Sequence, residues 1–217
     1  MTGENSATLT GKVLILSGSP HKDGTTKRAI TELSDTLRAE GMETEIIEVG
    51  NTGAPGCRGC YACGKLGRCV IDDIVNELAD KLRDADGLVL ASPVYYASPN
   101  GAFLAVCDRL FYSSRFDKSM KVGASVVAAR RGGCTASFDV LNKYFTISGM
   151  PLASSGYWNQ VHGGSAEDAE CDLEGMQTMR VLGRNMAFLI KAIKLAKASL
   201  PAPEREKKIW TNFIRKA

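Results

Sequence analysis

The stretch Lys12-Val-Leu-Ile-Leu-Ser17-Gly-Ser-Pro-His-Lys-Asp-Gly-Thr-Thr26 decides the fold. Its short apolar run ends in a Gly/Ser/Pro turn, as a strand buried on both faces does. Thr25 or Thr26 then stands where a helix N-cap belongs. Ile30, Leu33 and Leu37 recur on one helical face, and Gly41 supplies the stop. Strand, small-residue turn and helix in that order form the opening unit of a parallel α/β sheet.

The same alternation continues outward. Further strands are expected over 44–49, 87–92 and 122–129, with a short fifth over 150–154. Between them fall helical stripes: Val75, Leu78, Ala79 and Leu82; then Phe103, Val106, Leu110 and Phe111; then 134–146. A long helix over 174–198 is followed by a Pro201/Pro203 break and a last amphipathic helix ending near Ile214. Alternating strands and helices predict a doubly wound α/β domain, a five-stranded parallel sheet between two helical layers. The expected division is one domain over 1–200, with a cysteine-rich insertion over 52–70 and a helical tail over 201–217.

With 217 residues and a net charge of +3 spread along the chain, no basic block suggests a nucleic-acid partner. No apolar run reaches the roughly 20 residues of a membrane span. The polar stretch 1–10 lacks a signal peptide's apolar core, so a cytoplasmic location is the expectation. In that compartment the seven cysteines read as metal ligands or redox groups before disulfides.

In sheets of this kind ligands bind beyond the carboxyl ends of the strands. Three loops meet there: 17–26, 92–98 and 129–133. The first places Ser17, Ser19, Pro20, His21, Gly24, Thr25 and Thr26 before a helix. Small residues let backbone N–H groups approach an anion, hydroxyls can donate to it, and the helix dipole favours it. Neither the triphosphate-binding nor the dinucleotide-binding glycine pattern is present, so a monophosphate suits this loop better. An ordinary Gly/Ser/Pro turn is the plain alternative.

In the second loop Pro93, Val94, Tyr95, Tyr96, Ala97 and Ser98 offer apolar surface and backbone polar groups to a flat ring with polar edges. They can equally close the sheet edge. In the third loop Arg130, Arg131, Gly132 and Gly133 can clamp a ring edge or an incoming phosphate, or form a solvated turn. Trp158 and His162 lie in a polar, glycine-flanked stretch that reads as a loop in need of a partner surface.

Cys57-x2-Cys60-x2-Cys63-x5-Cys69 is the most specific local signal. Such spacing packs three thiolates into one turn of chain with a fourth nearby, as a [4Fe-4S] cluster requires. Structural zinc usually joins two knuckles across a longer loop, so the spacing favours a cluster, with zinc and unligated thiols as alternatives. Cys107 falls on a helical stripe and reads as core, while Cys134 at a helix start is expected to have a lowered pKa.

These segments together resemble the flavodoxin-like NAD(P)H-dependent FMN reductases, including the iron–sulfur flavoproteins. Gly18-Ser19-Pro20-His21-Lys22-Asp23-Gly24-Thr25-Thr26 is similar to that family's Gly-Ser-Pro-Arg-x-x-Gly-Asn-Thr loop, with His21 for its Arg and Thr25 for its Asn. Ser92-Pro93-Val94-Tyr95, Gly101 and Asp108-Arg109 match a second pattern, with Leu104 where a Lys is common. Asp108-Arg109 reads as a structural ion pair.

The resemblance runs from Lys12 to about Gly164. It implies a flavodoxin-like fold, an FMN phosphate wrapped by the first loop, and an isoalloxazine lined by Pro93 to Tyr96. It also implies NAD(P)H as co-substrate, a cluster on the four cysteines and a homodimer or higher homo-oligomer. Trp158 and the third loop complete the expected flavin site.

The function expected is electron transfer from NAD(P)H or a reduced protein donor to a quinone, flavin or protein acceptor, with the flavin rather than a side chain carrying the chemistry. Two rivals are a flavodoxin-type electron carrier, which a charge of +3 disfavours, and a zinc/thiol interaction module. The aromatic stripe Ile209, Trp210, Phe213 and Ile214 suggests a subunit contact.

Overall fold

The computed structural model describes residues 9–201, 203, 204, 206, 207, 209 and 211. The central strand is β1 (Gly11–Ser17), buried on both faces because its neighbours are covered on both. Parallel ladders join it to β2 (Met42–Glu48) and β3 (Gly87–Tyr95), and β3 to β5 (Val122–Ala129). A short β6 (Gln160–His162) closes the sheet beside β5, giving the order β2-β1-β3-β5-β6. The two-residue β4 (Ser98–Pro99) folds back antiparallel on the end of β3. Five parallel strands in this order form a flavodoxin-like doubly wound sheet, as expected, and β4 makes a sixth strand.

Helices cover both faces. On one lie α1 (Thr25–Ala39), α6 (Ala166–Cys171) and α7 (Leu173–Ser199), whose Leu33, Leu37, Leu182, Met186 and Ile190 share a core. Gly183 lets α7 approach α1 closely, since a Cβ there would lie 2.8 Å from Thr36 Cγ2. On the other face lie α3 (Ile74–Asp84), α4 (Gly101–Ser113) and α5 (Cys134–Ile147), with Leu78, Leu82, Phe103, Leu110 and Phe145 in a second core. A single-turn helix, α2 (Cys63–Leu66), sits inside the cysteine loop.

Two sequence expectations are corrected. Residues 150–154 form no strand: they bridge to β5 only at Gly123 and Leu152. Pro151 has no N–H to extend that pairing, although its carbonyl accepts from Gly123. The fifth parallel strand is instead Gln160–His162, inside the stretch read as a loop, with Val161 pointing into the α1/α7 core. Likewise 92–98 is not a free loop, because β3 runs on to Tyr95 and turns back through β4.

The long C-terminal helix is present as α7. Of the expected tail helix, Pro201, Pro203, Glu204, Glu206, Lys207, Ile209 and Thr211 are described and none is helical. Trp210, Phe213 and Ile214 lie outside the described residues.

Candidate functional site

The first loop leaves the carboxyl end of β1 pressed against α4. A Cβ on Gly18 would lie 2.4 Å from the Phe103 ring, so only glycine fits. Gly50, just past β2, is confined in the same way, with Ser19 O 2.3 Å from where its Cβ would be. Asn51 then donates to the Pro20 carbonyl. Ser17, Ser19, Thr25 and Thr26 are buried, whereas His21 is exposed.

Two hydroxyls proposed as phosphate donors are already engaged. Ser19 Oγ donates to His21 O at 3.1 Å and accepts from His21 N. Thr25 Oγ1 lies 3.0 Å from both Gly163 O and Ser165 O, tying this loop to the chain beyond β6. What the loop does offer is the start of α1, where Gly24 is the N-cap and no side chain caps the helix. The first-turn N–H groups of a helix point back along its axis, here toward the loop.

Pro93, Val94 and Tyr95 belong to β3, and Tyr96 and Ala97 make the two-residue turn to Ser98. Both turn residues have positive φ, 50° and 57°, as a type I′ turn demands but non-glycine side chains resist. Buried Ser92 anchors the hairpin's base, accepting from Asn100 N at 2.9 Å and donating to Pro93 O. Tyr95 is 43% exposed and Tyr96 is fully exposed at the tip.

The third loop lies against this hairpin. Gly133 has φ 94° and would place a Cβ 2.8 Å from both Ala97 Cα and Val94 Cγ1. Arg130 and Arg131 are exposed, and Gly132 has open space beside it. Gly163 N donates to Ala129 O at 3.1 Å, so the segment that holds Thr25 also borders Arg130. The three loops are therefore brought to one rim, joined by the turn after β6.

Trp158 lies on the segment that leads into β6. It stands two residues before Gln160, which pairs with Val127 near the carboxyl end of β5, and is 47% exposed beside the edge strand. Its ring centroid lies 4.7 Å from that of Tyr157. His162 stands at the rim, its N–H donating to Asp172 Oδ2 at 2.7 Å.

The cysteine loop starts from the first loop at Gly50 and Asn51. Cys57, Cys60, Cys63 and Cys69 line one pocket with Arg109 and Ser113 of α4. Among the described residues no three His, Cys, Asp or Glu side chains stand close enough to hold a single metal ion. A cubane asks for a wider arrangement, since each thiolate binds a different iron. The donor set is suitable: four thiols, all free, on one otherwise apolar wall beside fixed positive charge.

That charge is Arg109, with 1% of its side chain exposed. Its Nη1 and Nη2 donate to Asp73 at 2.6 and 2.8 Å, and further N–H groups reach Pro55 O and Ile71 O at 3.2 Å. Nε and Nη2 point at Cys69 Sγ, 3.4 and 3.3 Å away. Asn76 grips the Cys69 backbone through both its N–H and its carbonyl. Arg115 Nη2 lies 3.8 Å from Cys63 Sγ.

Burial alone would raise the Asp73 carboxyl, but the hydrogen bonds from Arg109 and from Val75 N–H, with the Arg109 charge, together hold it below its ordinary value. Burial would likewise lower Arg109, and its bonds to Asp73 and Cys69 outweigh that and raise it. The expected Asp108–Arg109 pair is thus corrected: Arg109 pairs with Asp73, and Asp108 accepts from the Tyr144 hydroxyl. Cys134 is also corrected, because burial and then the nearby Asp172 charge push its thiol up to about 11. Cys107 is a core residue as expected, its thiol raised by burial.

Sequence reasoning missed Arg109, Asp73, Asn76, Arg115 and Ser113 as the surroundings of the cysteines. The Asp-Arg dipeptide was the only visible mark, and it named the wrong partner.

A family model described as NADPH-dependent FMN reductase matches residues 11–164. An iron–sulfur flavoprotein of Methanocaldococcus jannaschii is 32% identical over 195 residues, covering 84% of this chain and 99% of that one. A second, from Methanosarcina thermophila, is 31% identical over 188 residues, covering 84% and 97%. Among solved structures, the NAD(P)H:quinone oxidoreductase of Methanothermobacter marburgensis has a TM-score of 0.66 over 82% of this chain and 96% of that one, at 15% identity. RosB with a bound 8-demethyl-8-formylriboflavin-5′-phosphate intermediate has a TM-score of 0.67 over 95% and 94%, at 16% identity. The two structures share the fold, and the family rests on the sequence matches. On these matches the chain belongs to the NADPH-dependent FMN reductase/iron–sulfur flavoprotein family, a family of FMN-dependent oxidoreductases.

Proposed function

We propose that this protein moves electrons from NAD(P)H or a reduced protein donor to a quinone, flavin or protein acceptor. The observation that carries the reading is the gathering of Cys57, Cys60, Cys63 and Cys69 around one pocket, on a loop whose approach at Asn51 is bonded to Pro20 of the first rim loop. When bound, FMN would supply the hydride and electron chemistry and a [4Fe-4S] cluster would pass single electrons.

The chain's own residues bind, orient and shield. The uncapped start of α1, with Thr26 and His21, would take the FMN phosphate; buried Ser17 and Ser19 shape the loop rather than donate. Pro93 to Ser98 would border the ring, held from below by Gly133. Arg130 and Arg131, exposed at the same rim, suit the phosphate of an incoming nicotinamide cofactor. Thr25 serves as a latch between loops, and Trp158 at the sheet edge suits a subunit contact. Residues 1–200 act in this reading as the flavin-binding unit, in a homodimer or higher homo-oligomer in the cytoplasm. Among the described residues no helix is long and apolar enough to cross a membrane.

The test is a visible spectrum of anaerobically purified protein with iron and acid-labile sulfide assayed on the same sample. Flavin bands with about four irons per chain support the whole reading. Flavin without iron removes the relay and leaves a plain FMN reductase. No flavin after FMN is added sinks the reading.

A further inference from the structure

Among the described residues two buried side-chain polar atoms have no hydrogen-bond partner, Ser113 Oγ and Ser137 Oγ. Ser113 ends α4, is 3% exposed and lines the pocket of the four cysteines. A helical serine commonly returns its hydroxyl to the carbonyl four residues back. Its neighbour Ser114 does so, donating to Leu110 O. Ser113 does not.

An unpaired buried hydroxyl costs about 1–3 kcal/mol. Nothing around the pocket offsets that cost. Arg109 has only donors, and these are aimed at Asp73, Cys69, Pro55 and Ile71. Arg58, Tyr61 and Tyr112 also line the pocket, and none of them is bonded to the Ser113 hydroxyl. The position thus holds one unused donor and, beside it, a cation that already donates to one of the thiols.

We propose that Ser113 is a positioning residue for an iron–sulfur group: its hydroxyl donates to a sulfur of the group that the four cysteines hold, acting with Arg109 on Cys69. This rests on the cluster reading above. Hydrogen bonds to cluster sulfurs stabilise the more negative, reduced state, so the two donors raise the reduction potential.

The experiment compares wild type, Ser113→Ala and Ser113→Thr, each purified anaerobically with its iron and sulfide measured. Cluster and flavin midpoints are titrated separately, and thermal unfolding is followed before and after the iron is chelated. Iron-loaded Ser113→Ala is expected to shift the cluster midpoint to more negative potential with the flavin midpoint in place. Ser113→Thr restores the wild-type value. After chelation, Ser113→Ala unfolds no earlier than wild type, because the hydroxyl it lost had no protein partner. A wild-type midpoint in iron-loaded Ser113→Ala overturns this inference and leaves the cluster reading standing, as does earlier unfolding of the chelated variant. A wild type that binds flavin but no iron overturns both.

Discussion

Arg109 and Cys69 stand 40 positions apart in the chain, yet the guanidinium Nε and Nη2 of Arg109 lie 3.4 and 3.3 Å from the Cys69 sulfur. The same guanidinium holds the Pro55 carbonyl ahead of Cys57 and the Ile71 carbonyl beyond Cys69. One helix side chain therefore closes both ends of the cysteine loop.

Replacing it removes an ion pair with almost no exposed guanidinium and strands Asp73. Arg109→Met is expected to cost about 3 kcal/mol in urea unfolding. Cys69 in chelated protein should react faster with a thiol reagent. Arg109→Lys keeps the charge and loses the fork, so it recovers only part of the loss. Unchanged Cys69 labelling in Arg109→Met would show that the loop is held elsewhere.

Gly18 has no room for a side chain beside Phe103. Gly18→Ala must displace the first loop or the ring, and FMN affinity is expected to fall at least about tenfold, or 1.4 kcal/mol. Flavin-fluorescence titration reads this directly. The double variant Gly18→Ala/Phe103→Leu should regain part of the affinity, since the two sites share one contact. Additive losses would instead mean that the loop fails for another reason.

The hairpin tip holds Ala97 at φ 57°. A left-handed conformation costs a non-glycine residue about 1–2 kcal/mol. Ala97→Gly relieves that and gives back part of it as unfolded-state entropy, so a net gain of up to about 1 kcal/mol is expected. Gly133→Ala acts in the opposite sense: it adds a Cβ at φ 94° and against the same hairpin, and should cost about 2 kcal/mol and weaken FMN binding. Thermal unfolding of the two variants without flavin tests the pair of signs.

Glu32 on α1 accepts from Arg180 of α7 at 2.6 Å and from Arg28 at 2.9 Å. Burial would lift its carboxyl, but these bonds outweigh burial and hold it below the ordinary carboxylate value. A carboxyl lowered in the folded state stabilises the fold above its unfolded-state pKa. That contribution disappears as pH falls through the folded value. Arg180 is 41% exposed, so solvent screening keeps the contribution to about 1 kcal/mol. Wild type should exceed Glu32→Gln by that margin near neutral pH, and the gap should close below about pH 4. A gap independent of pH would make the effect one of shape rather than charge.

Much of this fold was legible in order. Lys12 to Ser17 reads as a buried strand because a strand between two helical layers must be apolar on both faces, and β1 is so placed. Leu33 and Leu37 read as a helix face for the same reason, and both reach the core shared with α7. Gln160–His162 was not legible, because one apolar residue in three carries no periodic signal. Only the vacant edge of β5 makes it a strand. The hairpin at Tyr96 and Ala97 was hidden as well, since its turn residues are not those such a turn favours.

By itself the sequence determined the alternating elements, the rim at which their small-residue loops gather, and the spacing of the four cysteines. All of these are local in the chain, fixed by periodicity, turn chemistry and distances of a few residues. Tertiary structure alone decided which groups those loops and thiols would face. It spent the hydroxyl of Thr25 on the carbonyls of Gly163 and Ser165, set Arg109 on Cys69 and Asp73 rather than beside Asp108, and left Ser113 unpaired in the cysteine pocket. Such choices join residues far apart in the chain, which only the packing of α1 against the turn after β6, and of α4 beside α3 and the cysteine loop, brings together.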